Sequence, residues 1–386
     1  MKMKRITPEQ AAEIRSAAEK GDAKAQEQLG DLCRWSEGVR RDQDEAEKWY
    51  KKASDQGNWD AMAKLARLYE LSRREVKPSA RAVEDLYRKA ADHGSLRGME
   101  RLADLYLKGR GVNGTRADAI TWYRKAADAG SMHGMFWLGL MYENGIEVEQ
   151  DYAEAAKWLA AAAEHGLDAA MSDLAVYYEE GKGVKQDYAK AAELYRKTAD
   201  KGIGDSACRL GSLYERGLGV PQDYAEAMKW YRKAADEDCS EALCRIGDMY
   251  LKGLGIPADP GVAAQLYVKA AGHGNWEAEI KAADLMSDEK SPACDIEKAL
   301  ELYRTAAAHA NVYAEYRIGC ILEKAGGFEK QMEGFNWIQM AAKNGYSDAQ
   351  QKLLVEGSQH SSVSYGISDV TLAAAVSCMN DCTAGT

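Results

Sequence analysis

The chain has 386 residues, 46% hydrophobic and 29% charged, with 61 Asp and Glu against 51 Lys and Arg for a formal net charge of −10. That balance is globular rather than disordered or fibrous, and a net negative surface disfavours nucleic acid and anionic lipid. The opening MKMKRITPEQ is charged without an apolar h-region, and no stretch approaches the roughly 20 apolar residues of a membrane helix. The expectation is a cytoplasmic monomer that binds neither nucleic acid nor membrane.

Residues 1–24 contain AAEIRSAAEKGDAKA, which reads as the second half of a repeat and hence as an N-terminal capping half-repeat. Residues 25–348 then carry nine copies of one template. A small residue after Leu or Ile fixes the register, at Gly30, Ala66, Ala103, Gly139, Ala175, Gly211, Gly247, Ala283 and Gly319; the spacing is 36 residues except for one step of 37. Repetition at this period signals a solenoid.

The copy around Gly211 shows how one unit is built. Ala207, Leu210, Gly211 and Tyr214 share one face of a first helix, A, at helical spacing. The small residue lets a partner helix approach closely. GLGV (Gly217–Val220) stops the helix, because glycine tolerates a positive φ. Asp223 then caps a second helix, B, and Glu226 three residues on makes a capping box. Trp230 and Tyr231 are its core aromatics. One such hairpin cannot bury its apolar face, so neighbours must stack.

Some copies depart from the template. The copy around Ala283 has KSPACDIEKA in the turn and Met286 in the Tyr place; the copy around Ala66 has LSRREVKPSA; the copy around Gly30 has Cys33 in the Tyr place; the last has AGGFEKQMEG and Phe335. These copies are expected to pack less well. Residues 349–386 begin with a half-repeat, AQQKLLVEG, and continue into a linker and a tail without Lys or Arg.

The template A-x-x-L-G-x-x-Y-x-x-G-x-G-V-x-x-D-Y-x-x-A-x-x-W-Y-x-K-A-A-x-x-G resembles the Sel1-like repeat, a relative of the tetratricopeptide repeat, over about residues 8–356. The resemblance implies an all-α, right-handed α/α solenoid of nine helix-hairpin repeats. It also implies a concave face, built largely by A helices, that binds proteins or peptides. The expected role is a non-enzymatic scaffold or adaptor.

By analogy with the tetratricopeptide groove, partner contacts fall at fixed offsets from the small residue. The candidates are His133, Phe136, Leu140, Glu143, Ser172, Val176, Cys208, Ser212, Cys244, Tyr313 and Tyr316. The same offsets give a charged rim that includes Asp31, Glu70, Asp104, Glu215 and Asp248. An apolar centre within a polar rim is the usual distribution of binding energy. Phe136 and Val176 equally suit packing beneath a neighbouring helix.

No cofactor, metal or catalytic residue is expected. GRGVNG (Gly109–Gly114) matches a dinucleotide fingerprint but lies in the turn between A and B, where no strand precedes it. His93, His165, His273 and His309 sit near helix-B ends a repeat apart, which suits capping rather than a shared metal. The eight cysteines are sparse and are expected to be reduced. Cys239 and Cys244 lack C-x-x-C spacing, while Cys208 and Cys244 occupy equivalent places in adjacent copies and can approach each other.

The tail admits three readings. A helix over SDVTLAAAVSCM caps the open end of the solenoid. A linker and recognition segment docks in the protein's own groove. Or the tail is processed or modified, lanthipeptide-like, at Ser368, Thr371, Ser377, Cys378, Cys382 and Thr383, and the repeats are its carrier or leader.

Overall fold

Each copy becomes two helices because a polar side chain caps most starts and a left-handed residue closes most A helices. A computed structural model describes residues 6–35, 42–72, 78–109 and 114–360. Among the described residues there are 20 helices and no strand, an all-α solenoid. Two compact units are distinguished. One ends at Thr198 and takes in Leu218–Val220; the other comprises Ala199–Gly217 and the chain from Pro221.

The first unit contains α1 (Pro8–Glu19), α2 (Ala23–Trp35), α3 (Gln43–Asp55), α4 (Trp59–Glu70), α5 (Ala80–Asp92), α6 (Leu96–Lys108), α7 (Arg116–Asp128), α8 (Met132–Asn144), α9 (Tyr152–Glu164), α10 (Asp168–Glu180) and α11 (Tyr188–Ala199), whose last residue passes to the second. The second contains α12 (Gly204–Arg216), α13 (Tyr224–Ala235), α14 (Ser240–Lys252), α15 (Pro260–Gly272), α16 (Trp276–Ser287), α17 (Ile296–Ala308), α18 (Val312–Lys324), α19 (Phe328–Lys343) and α20 (Ser347–His360). Even-numbered helices from α2 to α18 are the A helices and the odd-numbered helix after each is its B partner.

Gly217 stops α12 at φ 67°, a conformation that costs glycine no steric penalty. Asp223 caps α13, its carboxylate accepting from the amides of Ala225 and Glu226. Glu226 does not close the expected capping box. It holds Lys229 at 3.2 Å instead. Reciprocal boxes form at Thr7 with Gln10 and at Thr115 with Asp118.

The small residue decides how closely A and B approach. A Cβ on Gly247 would lie 2.6 Å from the ring of Tyr267, and one on Gly211 2.8 Å from that of Tyr231. Both tyrosines are fully buried, as are Tyr50, Tyr87, Tyr123, Tyr195 and Tyr303 at the same place in their copies. A buried ring of this size stabilises by roughly 1.5–3 kcal/mol, and the small residue is what admits it.

Two of the irregular copies keep the backbone closure of the regular ones. The amide of Asp223 donates to the carbonyl of Tyr214 at 3.0 Å, and the same closure joins Asp42 to Cys33 at 3.0 Å and Asp295 to Met286 at 2.9 Å. The bond uses only backbone atoms, so Cys33 and Met286 can replace tyrosine without opening the hairpin. Residues 361–386 lie outside the described residues, and with them every expectation about the tail, including Ser368, Thr371, Ser377, Cys378, Cys382 and Thr383. Most of the Gly109–Gly114 turn also lies outside them.

Candidate functional site

The charged rim expected along the A helices is largely internal. Tyr50 donates to Asp31 at 2.7 Å, Tyr87 to Glu70 at 2.9 Å, Tyr123 to Asp104 at 2.6 Å, Tyr231 to Glu215 at 2.6 Å and Tyr267 to Asp248 at 2.7 Å. A buried phenol needs an acceptor, and a carboxylate on the facing A helix supplies one. Burial and the adjacent carboxylate push these hydroxyls well above the ordinary tyrosine range. Burial also raises Glu70, but hydrogen bonds from Arg67 and Tyr87 more than offset it, leaving the carboxyl below its ordinary value.

A second set of bonds joins successive repeats. Lys64 meets Glu27 at 2.6 Å, Lys182 meets Glu143 at 2.8 Å and Lys281 meets Asp248 at 3.0 Å. Glu143, expected in the groove, is thereby engaged with the next repeat. Its helix-B position has Leu159 where most copies have tyrosine.

One cleft stands out, in the first unit, where α4, α6 and α8 lie side by side. Its volume is about 680 Å³, and its walls include Trp59, His93, Arg97, Arg101, His133 and Trp137. Asn58 caps α4 and so places Trp59 at the helix start. His93 is the C-cap of α5; its Nδ1–H donates to the Lys89 carbonyl at 2.8 Å, which fixes the ring in a stack against Trp59 at 3.9 Å. His165 makes the equivalent capping bond to Ala161 at 2.8 Å, and His273 and His309 are also C-cap residues. Trp137 stacks on buried Tyr123 at 5.9 Å yet remains 37% exposed. Arg101 is held by Asp104 at 2.8 Å, His133 stands 4.0 Å from Glu100, and Arg97 is exposed. The cleft thus presents aromatic faces beside cationic groups, a surface suited to a peptide segment carrying apolar and acidic groups.

Of the partner candidates, only His133 lines this cleft; of the charged positions at the same offsets, Asp60, Arg97, Glu100 and Asp104 line it too. Phe136 is half-buried against the core of the first unit, edge-on to Trp137 at 6.4 Å. Leu140, Ser172, Val176 and Ser212 are half-buried. Tyr313 donates to Asp284 at 2.7 Å, and Tyr313 and Tyr316 both pack on Tyr346, at 6.1 and 5.1 Å. Cys208 and Cys244 are 7% and 3% exposed, so neither thiol offers surface to a partner. Nor do they share a neighbour: Cys208 is influenced chiefly by Cys239, and Cys244 lies 3.5 Å from the Lys281 ammonium. Burial drives the Cys244 thiol up to about 11.

The groove offsets omitted the position two residues before the small residue. That position holds Trp137 and Arg101, which line the cleft, and also Lys64, Arg245, Lys281 and Arg317. A recurrent cationic or aromatic residue at one offset was the available signal. Among the described residues, no group of three or more His, Cys, Asp or Glu is arranged to hold a metal ion, and no helix is long and apolar enough to cross a membrane.

Comparison with known proteins agrees with this architecture. The Sel1 repeat model matches nine consecutive segments, 23–58, 59–95, 96–131, 133–167, 168–203, 204–239, 240–275, 277–311 and 312–346. Among solved structures, the chain is similar to c5321, a protective antigen of uropathogenic Escherichia coli strains with an SLR fold. The two share 29% identity at a TM-score of 0.75, over 90% of this chain and 75% of that one. It is also similar to a Sel1 repeat protein from Oxalobacter formigenes, with 30% identity and a TM-score of 0.58 over 78% of this chain and 87% of that one. No curated protein matches.

Proposed function

Since the chain belongs to the Sel1 repeat family, we propose that it is a non-catalytic scaffold whose first unit binds a protein segment in the cleft formed by α4, α6 and α8. The observation that carries this reading is the partly bare Trp137 beside the Trp59–His93 stack and the exposed Arg97. Aromatic and arginine side chains in a concave setting are where interface energy concentrates. The segment taken is extended, with an apolar side chain for the tryptophans and an acidic group for Arg97. His133 stands at the rim. The scaffold acts as a cytoplasmic monomer.

The test is affinity capture from the native cell with wild-type protein and with Trp59→Ala and Trp137→Ala variants, each checked for helicity. A partner retained by the wild type and lost by both variants supports the cleft. Undiminished capture by folded variants would place the binding surface elsewhere.

A further inference from the structure

The start of α14 carries a thiol pair that the scaffold reading does not use. In three copies, the residue before an A helix reaches back to the preceding A helix. Asn58 donates to Glu27 at 2.9 Å and Ser131 to Glu100 at 2.5 Å, each 31 positions earlier. Ser95, in the copy lengthened to 37 residues, donates to Asp60 at 2.5 Å. Cys239 holds the same place before α14, and 31 positions earlier stands Cys208 on α12. Cysteine thus stands at both places. The repeat register places the two thiols together, and each is the largest influence on the other's ionisation.

The two thiols differ in surroundings. Cys208 is buried within α12, and the adjacent Cys239 together with burial pushes its ionisation up. Cys239 is half-buried at the N-terminus of α14. The neighbouring Cys208, together with the helix start, holds it below the ordinary thiol value, against burial and the nearby Asp205. Glu241 and Arg245 are the other charged groups near Cys208. One sulfur is therefore the nucleophile and the other waits within bonding reach.

We propose that Cys208 and Cys239 are a peroxide-responsive pair that closes into a reversible disulfide, clasping α12 to the start of α14. The Cys239 thiolate attacks one oxygen of a hydroperoxide, the O–O bond breaks, and Cys239 becomes a sulfenic acid as hydroxide or alkoxide leaves. The Cys208 sulfur then attacks the sulfenic sulfur. The S–S bond forms, and the sulfenic hydroxyl departs with the Cys208 proton as water. Overall, two thiols lose two electrons and two protons to one peroxide, giving the disulfide and two molecules of water (for hydrogen peroxide). A dithiol reductant reverses the change by exchange.

The experiment treats the full-length reduced protein with one equivalent of hydrogen peroxide, alkylates the remaining thiols and maps the digest without reduction. The expected result is a linked peptide pair containing Cys208 and Cys239, lighter by two hydrogens, about 2 Da, and dispersed by dithiothreitol. The Cys208→Ser variant is expected to leave Cys239 as a sulfenic acid that dimedone captures. The Cys239→Ser variant is expected to leave Cys208 reduced. Accumulation of Cys239 sulfinic acid in the wild type, a Cys208–Cys244 link, or both thiols remaining alkylatable while exposed Cys294 is oxidised would each overturn the proposal. The wild-type map decides the matter even where a variant folds poorly.

Discussion

The A-helix faces of the two units use the same positions differently. In the first unit, the place two residues before the small residue supplies Lys64 and Arg101, paired with Glu27 at 2.6 Å and Asp104 at 2.8 Å, and then Trp137, which with Arg101 lines an open cleft. In the second unit it supplies Arg245, Lys281 and Arg317. Each of these is committed: Arg245 to Glu241 at 2.8 Å, Lys281 to Asp248 at 3.0 Å and Arg317 to Asp284 at 3.4 Å. A tryptophan cannot join a chain of ion pairs, so the pairing is interrupted at Trp137, whose ring stays partly exposed. Where internal bonding lapses in a repeat array, side chains are left open to solvent.

The backbone beneath the two faces differs as well, and the largest expected effect tests that difference. Gly247→Ala places a methyl 2.6 Å from the buried Tyr267 ring, whereas Gly139→Ala meets the flexible Leu159 at 3.0 Å. Denaturant unfolding should show a loss of about 2–3 kcal/mol for the first and less than about 1 kcal/mol for the second. Equal losses would mean that the tyrosine does not set the helix spacing.

Trp137→Ala comes next. Against the captured partner it should weaken binding by about 2 kcal/mol, roughly 30-fold in Kd. Stability should fall by less, because part of the ring is already in water. Titration calorimetry and thermal unfolding of the same variant separate the two. A large stability loss with unchanged affinity would make Trp137 a core residue and erase the contrast between the units.

Tyr267→Phe removes a hydroxyl from Asp248, which keeps Lys281. The expected cost is about 1 kcal/mol, measured by urea unfolding. A neutral result would show that the ion pair alone satisfies the carboxylate.

The smallest effect is acid sensitivity. In the first unit Glu27 and Glu70 lie below their ordinary values: burial raises each, but Lys64 and Asn58 for one, Arg67 and Tyr87 for the other, outweigh it. The stability such groups contribute is fully present above the unfolded-state value and is lost as pH falls through the folded one. Asp173 in the same unit is raised, by burial and then Glu143, and acts in the opposite sense. In the second unit burial raises Glu279, which cannot add acid sensitivity. Hydrogen exchange followed below about pH 4 should therefore show α2–α6 losing protection before α14–α18. The reverse order would mean that these carboxylates do not govern the acid response.

Much of the fold was legible because its signals are local. The small residue at 36-residue spacing, the aspartate before helix B and the glycine after helix A each act on residues within a turn or on the adjacent helix. The candidate site was legible only in part. His133 and Arg97 stood at the groove offsets and line the cleft; Trp59, Arg101 and Trp137 line it from positions the offsets did not include. The offsets borrowed from a related repeat put Asp31, Glu70, Asp104, Glu215 and Asp248 in the open, where a tyrosine of the paired helix covers each.

Two cysteines make the same distinction. Equivalent places in adjacent copies suggested Cys208 with Cys244, yet the thiol that meets Cys208 is Cys239, from a different place in the repeat. By itself the sequence determined that the chain is an all-α array of nine hairpins and where each hairpin turns. Only the tertiary structure decided which side chains are used internally and which are left over. That choice depends on how neighbouring helices overlie one another, and helical periodicity fixes the face a residue shares but not the atom that will cover it.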